Sequence, residues 1–220
     1  MHIILLSGGL DSLVALAQTL EKTSDVALLH CHYGQKNYKK EQESFKKMNT
    51  FFCPNAPILS INLEGLKVIG GSPLNDSQKE VKDFSPSAGI SLNYVPFRNT
   101  HLIATAVSWA EVINAHAIVL GTHQSDESGF PDCRPAYYLA MQELIRQGSN
   151  HQNIKLVTPF IHKTKAEIIK EGVRLKVPFE MSWSCYNKTE TPCQKCEACY
   201  ERAKAFQLAG TIDPLFNVQS

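Results

Sequence analysis

Short apolar runs alternate with amphipathic stretches along most of the chain. His2-Ile3-Ile4-Leu5-Leu6 is apolar without alternation, as in a short strand buried on both faces. From Leu13 the spacing turns helical, with Leu13, Leu16, Ala17 and Leu20 on one face. Residues 25–33, with Val26, Ala27, Leu28 and Leu29, predict a second strand that runs into polar Tyr33-Gly34-Gln35-Lys36. A helix over about 39–52 points Glu41, Glu43, Lys46 and Lys47 at water, and Pro54 and Pro57 end it. Residues 58–63 alternate as a third strand. Strands separated by single helices predict an α/β fold, a doubly wound and mainly parallel sheet covered on both faces.

Residues 66–93 carry Gly70-Gly71-Ser72-Pro73, Pro86 and Gly89 without periodicity, the composition of a lid, a binding loop or a disordered stretch. A helix over 100–114 follows, its apolar face made of Leu102, Ile103, Ala106, Val107 and Ala110. The strand 116–120 is closed by Gly121 and leads into a polar loop from Thr122 to Arg134. Ligands of open α/β sheets collect outside the carboxyl ends of the strands, so this loop should face the first turn across one crevice. Residues 137–147 predict a helix, 154–157 a strand, and Thr164 with Glu167 a capping box at the next helix start. The expected organisation is an α/β domain over 1–180 with a cysteine-rich region, 181–220, packed on it.

Between the first strand and the first helix stands Ser7-Gly8-Gly9-Leu10-Asp11-Ser12. Two glycines allow a tight turn with uncovered amides, and the helix aims its N-terminal dipole at whatever occupies it. A phosphate or pyrophosphate is the natural guest, with Ser7 and Ser12 adding hydroxyls. The ending Gly-Lys-Ser/Thr of a Walker loop is absent, and so is the third glycine of a dinucleotide fingerprint.

Composition narrows the partners. With 22 basic and 21 acidic residues among 220, a net charge of +1 gives no support for a nucleic-acid or membrane-surface protein. No apolar window of about 18 residues exists to span a membrane. Seven cysteines without a leader-like N-terminus fit reduced thiols in the cytoplasm, some held by metal. Cys185, Cys193, Cys196 and Cys199 form a C-x7-C-x2-C-x2-C pattern within 15 residues. Four thiolates can enclose a structural zinc with no open position; an iron–sulfur cluster or a disulfide pair are the competing readings. Cys31 and Cys53 read as core thiols, while Cys133 lies within the polar loop.

The Ser-Gly-Gly-x-Asp-Ser turn resembles the pyrophosphate loop of the N-type ATP pyrophosphatases. Tyr33-Gly34-Gln35, Val95-Pro96-x-Arg98-Asn99, Ser128-Gly129-Phe130-Pro131-Asp132-Cys133-Arg134, Thr164-Lys165-Ala166-Glu167 and the cysteine cluster narrow the likeness. Together and in this order they resemble the 7-cyano-7-deazaguanine synthase family, over nearly the whole chain. One departure is Phe97, where the family more often has a small residue. The resemblance implies an adenine-nucleotide alpha hydrolase-like fold and an ATP-dependent carbon–nitrogen ligase. The ligase would convert 7-carboxy-7-deazaguanine and ammonia to 7-cyano-7-deazaguanine through adenylated acid and amide, on the route to queuosine. It further implies ATP, Mg²⁺ and one structural Zn²⁺, and small-molecule partners with no nucleic acid or membrane. A homodimer is implied too, with the apolar Pro214-Leu215-Phe216 as a candidate contact.

Carried onto this chain, the resemblance assigns nucleotide binding to Leu6, Ser7, Gly8, Gly9, Leu10, Asp11, Ser12, Leu13, Val14, Ala15 and Leu16. Asp11, Ser12, Arg98, Arg134 and Lys165 form the expected catalytic set, and Asp126 joins the magnesium shell. Phe97, Arg98, Asn99, Asp126, Phe130, Asp132 and Arg134 are the expected substrate residues. In that set Asp132 accepts from the guanine-like N–H groups, the guanidinium groups pair with carboxylate or phosphate, and a Phe stacks on the base. Plainer roles stand beside these: a helix cap for Asp11, a solvated acid for Asp126, an exposed lysine for Lys165. Surface ion pairs for the arginines and core packing for the phenylalanines complete that set. The metal ligands are Cys185, Cys193, Cys196 and Cys199. Two other activities remain open: transfer of the adenylate to a different amine, and a zinc-stabilised nucleotide-binding module without catalysis.

Overall fold

The computed structural model describes residues 1–85, 90–123, 129–151, 153–187 and 190–216. Asp126 and Ser128 lie outside them. In chain order the elements are β1 (His2–Leu5), α1 (Leu10–Leu20), β2 (Val26–His32), α2 (Tyr38–Phe52), β3 (Ile58–Asn62) and α3 (Glu64–Ile69). Then come α4 (Arg98–Ile113), β4 (Ala117–Leu120), α5 (Pro135–Gly148), β5 (Lys155–Val157), α6 (Lys165–Arg174) and α7 (Glu197–Ala209). Single 3₁₀ turns occupy Pro131–Cys133 and Phe179–Met181.

The strands form one parallel sheet in the order β3-β2-β1-β4-β5. Side chains alternate across a strand, so apolar runs in the central strands supply two cores. Ile4, Leu28 and Val119 pack on one face with α1, α6 and α7 residues such as Leu13, Ile168 and Phe206. Ile3, Leu29 and Ile118 pack on the other with Ile103, Ala106 and Met141 of α4 and α5. The winding goes from β1 out to β3, then returns through α4 to place β4 on the other side of β1. This reversal opens a crevice outside the carboxyl ends of β1 and β4.

Several helices begin earlier than the apolar spacing predicts. Helix α1 starts at Leu10, so Asp11 and Ser12 belong to its first turn; polar residues there hide the period. Helix α2 starts at Tyr38, which brings Glu41 into its first turn, and α4 starts at Arg98. The capping box at Thr164 is formed: Glu167 N–H donates to Thr164 Oγ1 at 3.3 Å and Thr164 N–H to Glu167 Oε2 at 2.7 Å.

Residues 66–85 are more ordered than their composition predicts. Asn75 Nδ2 donates to the Leu66 carbonyl at 2.7 Å, and Ser72 Oγ to the Asn93 carbonyl at 3.2 Å. Leu66 and Leu74 pack with Tyr33 and Val95 in a small third core. Side-chain bonds to backbone hold this segment, and they leave no hydrophobic period to read.

Helix α7 sends Ala205 and Phe206 into the first core and carries the fully buried Arg202. Arg202 forms a bidentate pair with Asp213, Nε at 2.6 Å and Nη2 at 2.9 Å. Its remaining donors reach Ser182 Oγ, Ser184 Oγ and the Phe179 carbonyl at 2.7, 3.2 and 3.2 Å. Leu215 and Phe216 pack against the cysteine cluster of their own chain.

Candidate active site

A cavity of about 300 Å³ opens at the carboxyl ends of β1 and β4. Its floor is the turn from Ser7 to Ser12. Gly8 has φ +92°, and a Cβ there would lie 2.4 Å from the Glu41 carbonyl oxygen, so only glycine fits. Ser7 Oγ accepts from Gly9 N–H at 3.1 Å, and Ser12 Oγ donates to the Gly9 carbonyl at 2.9 Å. Among the described residues no side chain caps the first amides of α1. Uncapped amides at a helix N-terminus beside a cavity are the arrangement that binds anions. Gly121 at the end of β4 runs against this turn; a Cβ on it would sit 2.5 Å from the Asp11 carbonyl oxygen.

Lys165, at the start of α6, donates to Asp11 Oδ2 at 3.1 Å, and His123 Nε2 lies 3.9 Å from the same oxygen. Burial alone would raise the Asp11 pKa, but the Lys165 charge, with His123 and Arg202 further off, holds its carboxyl below the ordinary 3.8. Asp11 therefore stands as a carboxylate. Its Oδ1 is buried without a hydrogen-bond partner among the described residues, an unused ligand oxygen beside the anion turn. The helix-cap reading of Asp11 does not hold, because its carboxylate turns to Lys165 instead.

Across the cavity Arg98 lies over the Tyr33 ring and donates to its hydroxyl at 3.1 Å. Its Nε is buried and unpartnered among the described residues. Burial pushes the Tyr33 hydroxyl up, so it is neutral. Asn99, Phe130 and Cys133 also line the space, with Phe130 tilted against Tyr94 at 5.6 Å.

Other expected residues stand elsewhere. Asp132 is 2 % exposed and outside the lining; its Oδ2 accepts from Asn99 N–H at 2.9 Å, and its carbonyl accepts from Asn99 Nδ2 at 2.8 Å. It thereby caps α4 from the neighbouring turn and fixes the Arg98-Asn99 corner. Phe97 is 56 % exposed and left-handed at φ 58°, with its ring 6.5 Å from Tyr137 instead of in the cavity. Arg134 is exposed at the N-cap of α5 and outside the lining. Leu13, Val14, Ala15 and Leu16 are core residues behind the turn. Asp126 belongs to the undescribed residues.

The structure adds residues that the pattern hid. Glu41, read above as facing water, lines the cavity, as do Gln35, Asn37, Trp183, Ser184 and Glu197. Glu41 stands four residues after Asn37 within a charged run, and only the fold shows which charge turns inward. Trp183 N–H donates to the Gly8 carbonyl at 2.9 Å, which ties the C-terminal region to the anion turn.

The four cysteines beyond Trp183 converge, their sulfurs all within 4.8 Å of one another. A tetrahedral zinc with Zn–S near 2.3 Å needs sulfurs about 3.8 Å apart. Cys193 and Cys199 are at 3.9 Å, and none of the four forms a disulfide, so the donor set fits a closed thiolate zinc site. The Cys185 carbonyl accepts from both Trp183 Nε1 at 2.9 Å and Asn37 Nδ2 at 3.0 Å.

Residues 1–210 match the model of the family described as queuosine biosynthesis protein QueC. The chain belongs to this family. A 7-cyano-7-deazaguanine synthase of Chloroherpeton thalassium is 42 % identical over 215 residues, covering 97 % of this chain and 95 % of the relative. One of Acidobacterium capsulatum is 39 % identical over 218 residues, covering 97 % and 94 %. Among solved structures, a 4-thiouridine synthetase in an RNA complex with bound ATP superposes with a TM-score of 0.54 at 15 % identity. It covers 95 % of this chain and 50 % of that one, a likeness of fold. Family membership makes this chain an ATP-dependent ligase of the queuosine pathway, and the relatives do not favour the other-amine or non-catalytic alternatives. Among the described residues no helix is long and apolar enough to cross a membrane.

Proposed function

We propose that this cavity joins 7-carboxy-7-deazaguanine and ammonia into 7-cyano-7-deazaguanine at the expense of ATP. The supporting observation is the juxtaposition of an uncapped Gly8-Gly9 turn with Arg98 in one cavity, in a chain of this family. A carboxylate resists ammonia because oxide is a poor leaving group. Transfer of the adenylyl group of ATP to it, with pyrophosphate leaving, supplies a good one, and repeating this on the amide oxygen permits departure of that oxygen with AMP as the nitrile forms.

Each wall then has a task. The α1 amides, Ser7 and Ser12 hold the pyrophosphate portion, and Lys165 stabilises charge that develops on it. Arg98 offers its guanidinium to the substrate carboxylate, with the neutral Tyr33 behind it fixing its plane. Phe130 is placed to lie against the flat bicyclic ring. Asp11, whose Oδ1 has no hydrogen-bond partner among the described residues, would hold Mg²⁺, and the ion would supply positive charge against the phosphates. The four cysteines would hold one Zn²⁺, closed to substrate, that keeps Trp183 and Asn37 against the turn. Arg134, Phe97 and Asp132 act, in this reading, outside first contact with substrate.

Purified protein given the acid, ATP, Mg²⁺ and ammonium should form a product that mass spectrometry identifies as the nitrile, with AMP and pyrophosphate. Conversion that halts at the amide, or absence of nucleotide turnover, would defeat the proposal.

A further inference from the structure

Glu41 is a cavity acid that the scheme above leaves unused, as it leaves Glu197, whose carboxylate accepts from Ser91 Oγ and Asn93 Nδ2. Asp11 is balanced by Lys165, whereas Glu41 has no ion pair among the described residues. Its carboxylate instead accepts two neutral amides, Gln35 Nε2 on Oε2 at 2.9 Å and Asn37 Nδ2 on Oε1 at 3.0 Å. Both amides are themselves fixed. The second Gln35 N–H reaches the Cys31 carbonyl and its oxygen accepts from Tyr33 N–H, while Asn37 Nδ2 also donates to the Cys185 carbonyl. Both present N–H groups to the carboxylate, and this leaves one lone pair per oxygen for a guest or an incoming proton. Burial pushes the Glu41 pKa up despite these donors and the more distant Arg98, which makes it a stronger proton acceptor than an exposed glutamate. Its own backbone abuts Gly8, so the side chain stands beside the anion turn.

A half-buried anion with neutral partners favours a small cation, and it repels the triphosphate that occupies the turn. Ammonia is present at neutral pH chiefly as ammonium, which must lose a proton before it attacks. We propose that Glu41 binds the ammonium ion and accepts its proton in the amide-forming step; this rests on the ligase reading above. Ammonium gives one proton to the Glu41 carboxylate, and the ammonia lone pair forms the nitrogen–carbon bond. The carbon–oxygen bond to phosphate breaks, its electron pair leaves with AMP, and the adduct loses a second proton to water. Glu41 returns its proton to water, so acyl adenylate and ammonium give amide, AMP and two protons.

The test compares wild type with Glu41→Gln in three assays. These are acid-dependent ATP–pyrophosphate exchange without ammonium, product formation against ammonium concentration, and hydroxamate formation with hydroxylamine. Hydroxylamine is a nucleophile already neutral at pH 7. The variant should keep exchange and hydroxamate rates within about threefold, and need about tenfold more ammonium or higher for half-maximal rate. If Glu41→Gln does not fold, Glu41→Asp, which withdraws the carboxylate by one methylene, should show the same selective loss. An unchanged ammonium dependence overturns the proposal, and so does an equal fall with hydroxylamine, which would mark Glu41 as structural. Wild type without acid-dependent exchange would instead overturn the ligase reading itself.

Discussion

The anion turn and the C-terminal arm occupy the same cavity but are built in opposite ways. Ser7 to Ser12 is mainly a local device: the hydrogen bonds made by the Ser7 and Ser12 hydroxyls span two to five residues, and β1 and α1 place the turn directly. The arm from Ser182 to Phe216 is assembled at long range. Arg202 clamps Asp213, Ser182 and Ser184, Trp183 reaches the Gly8 carbonyl, and the Cys185 carbonyl reaches Asn37. The turn supplies chemistry that any relative with this motif could share, whereas the arm closes the cavity and orients its remaining walls.

If that division is right, substitutions should separate stability from turnover. Arg202→Met leaves Asp213 buried and unpaired, and should cost about 3–5 kcal/mol in urea unfolding. Replacing both partners by apolar residues should recover much of this. Lys165→Ala breaks a partly exposed pair with Asp11 and should cost less, about 1 kcal/mol, while AMP formation falls about 10²–10³-fold, equivalent to roughly 2.7–4 kcal/mol. Equal effects of the two on stability would erase the distinction.

Acid sharpens it further. The Asp11 carboxyl is held below 3.8 in the folded state, so its ion pair contributes fully above that pH and is lost as pH falls through the depressed value. The stability difference between wild type and Asp11→Asn should therefore shrink on acidification below pH 3.8, as followed by thermal unfolding. Phe97→Gly removes a left-handed φ from a non-glycine residue, and should stabilise by up to about 1 kcal/mol with turnover unchanged. Arg134→Ala should change turnover least, within about twofold, as expected for an exposed side chain outside the cavity. A large loss at Arg134 would bring the 131–134 turn into contact with substrate.

The same contrast explains what the sequence disclosed. The turn, the doubly wound order and the capping box were legible because each is written in neighbouring residues. The four cysteines were legible because metal spacing is also local. Glu41 was misread because hydrophobic period says which face of α2 is polar, and not that one polar position turns into a cavity. Asp132 was read as a substrate acceptor because its motif stands apart from Arg98-Asn99 in the chain; only the fold shows it capping α4. Phe97 followed the motif into the substrate set, but its left-handed backbone turns the ring outward.

The central claim is that the Ser7–Ser12 turn positions ATP so that substrate oxygen attacks the α-phosphate in both activations. Substrate labelled with ¹⁸O in both carboxylate oxygens tests this directly. The account predicts that each nitrile formed leaves both labels in AMP, one per AMP molecule. Label appearing in water or in inorganic phosphate would contradict it.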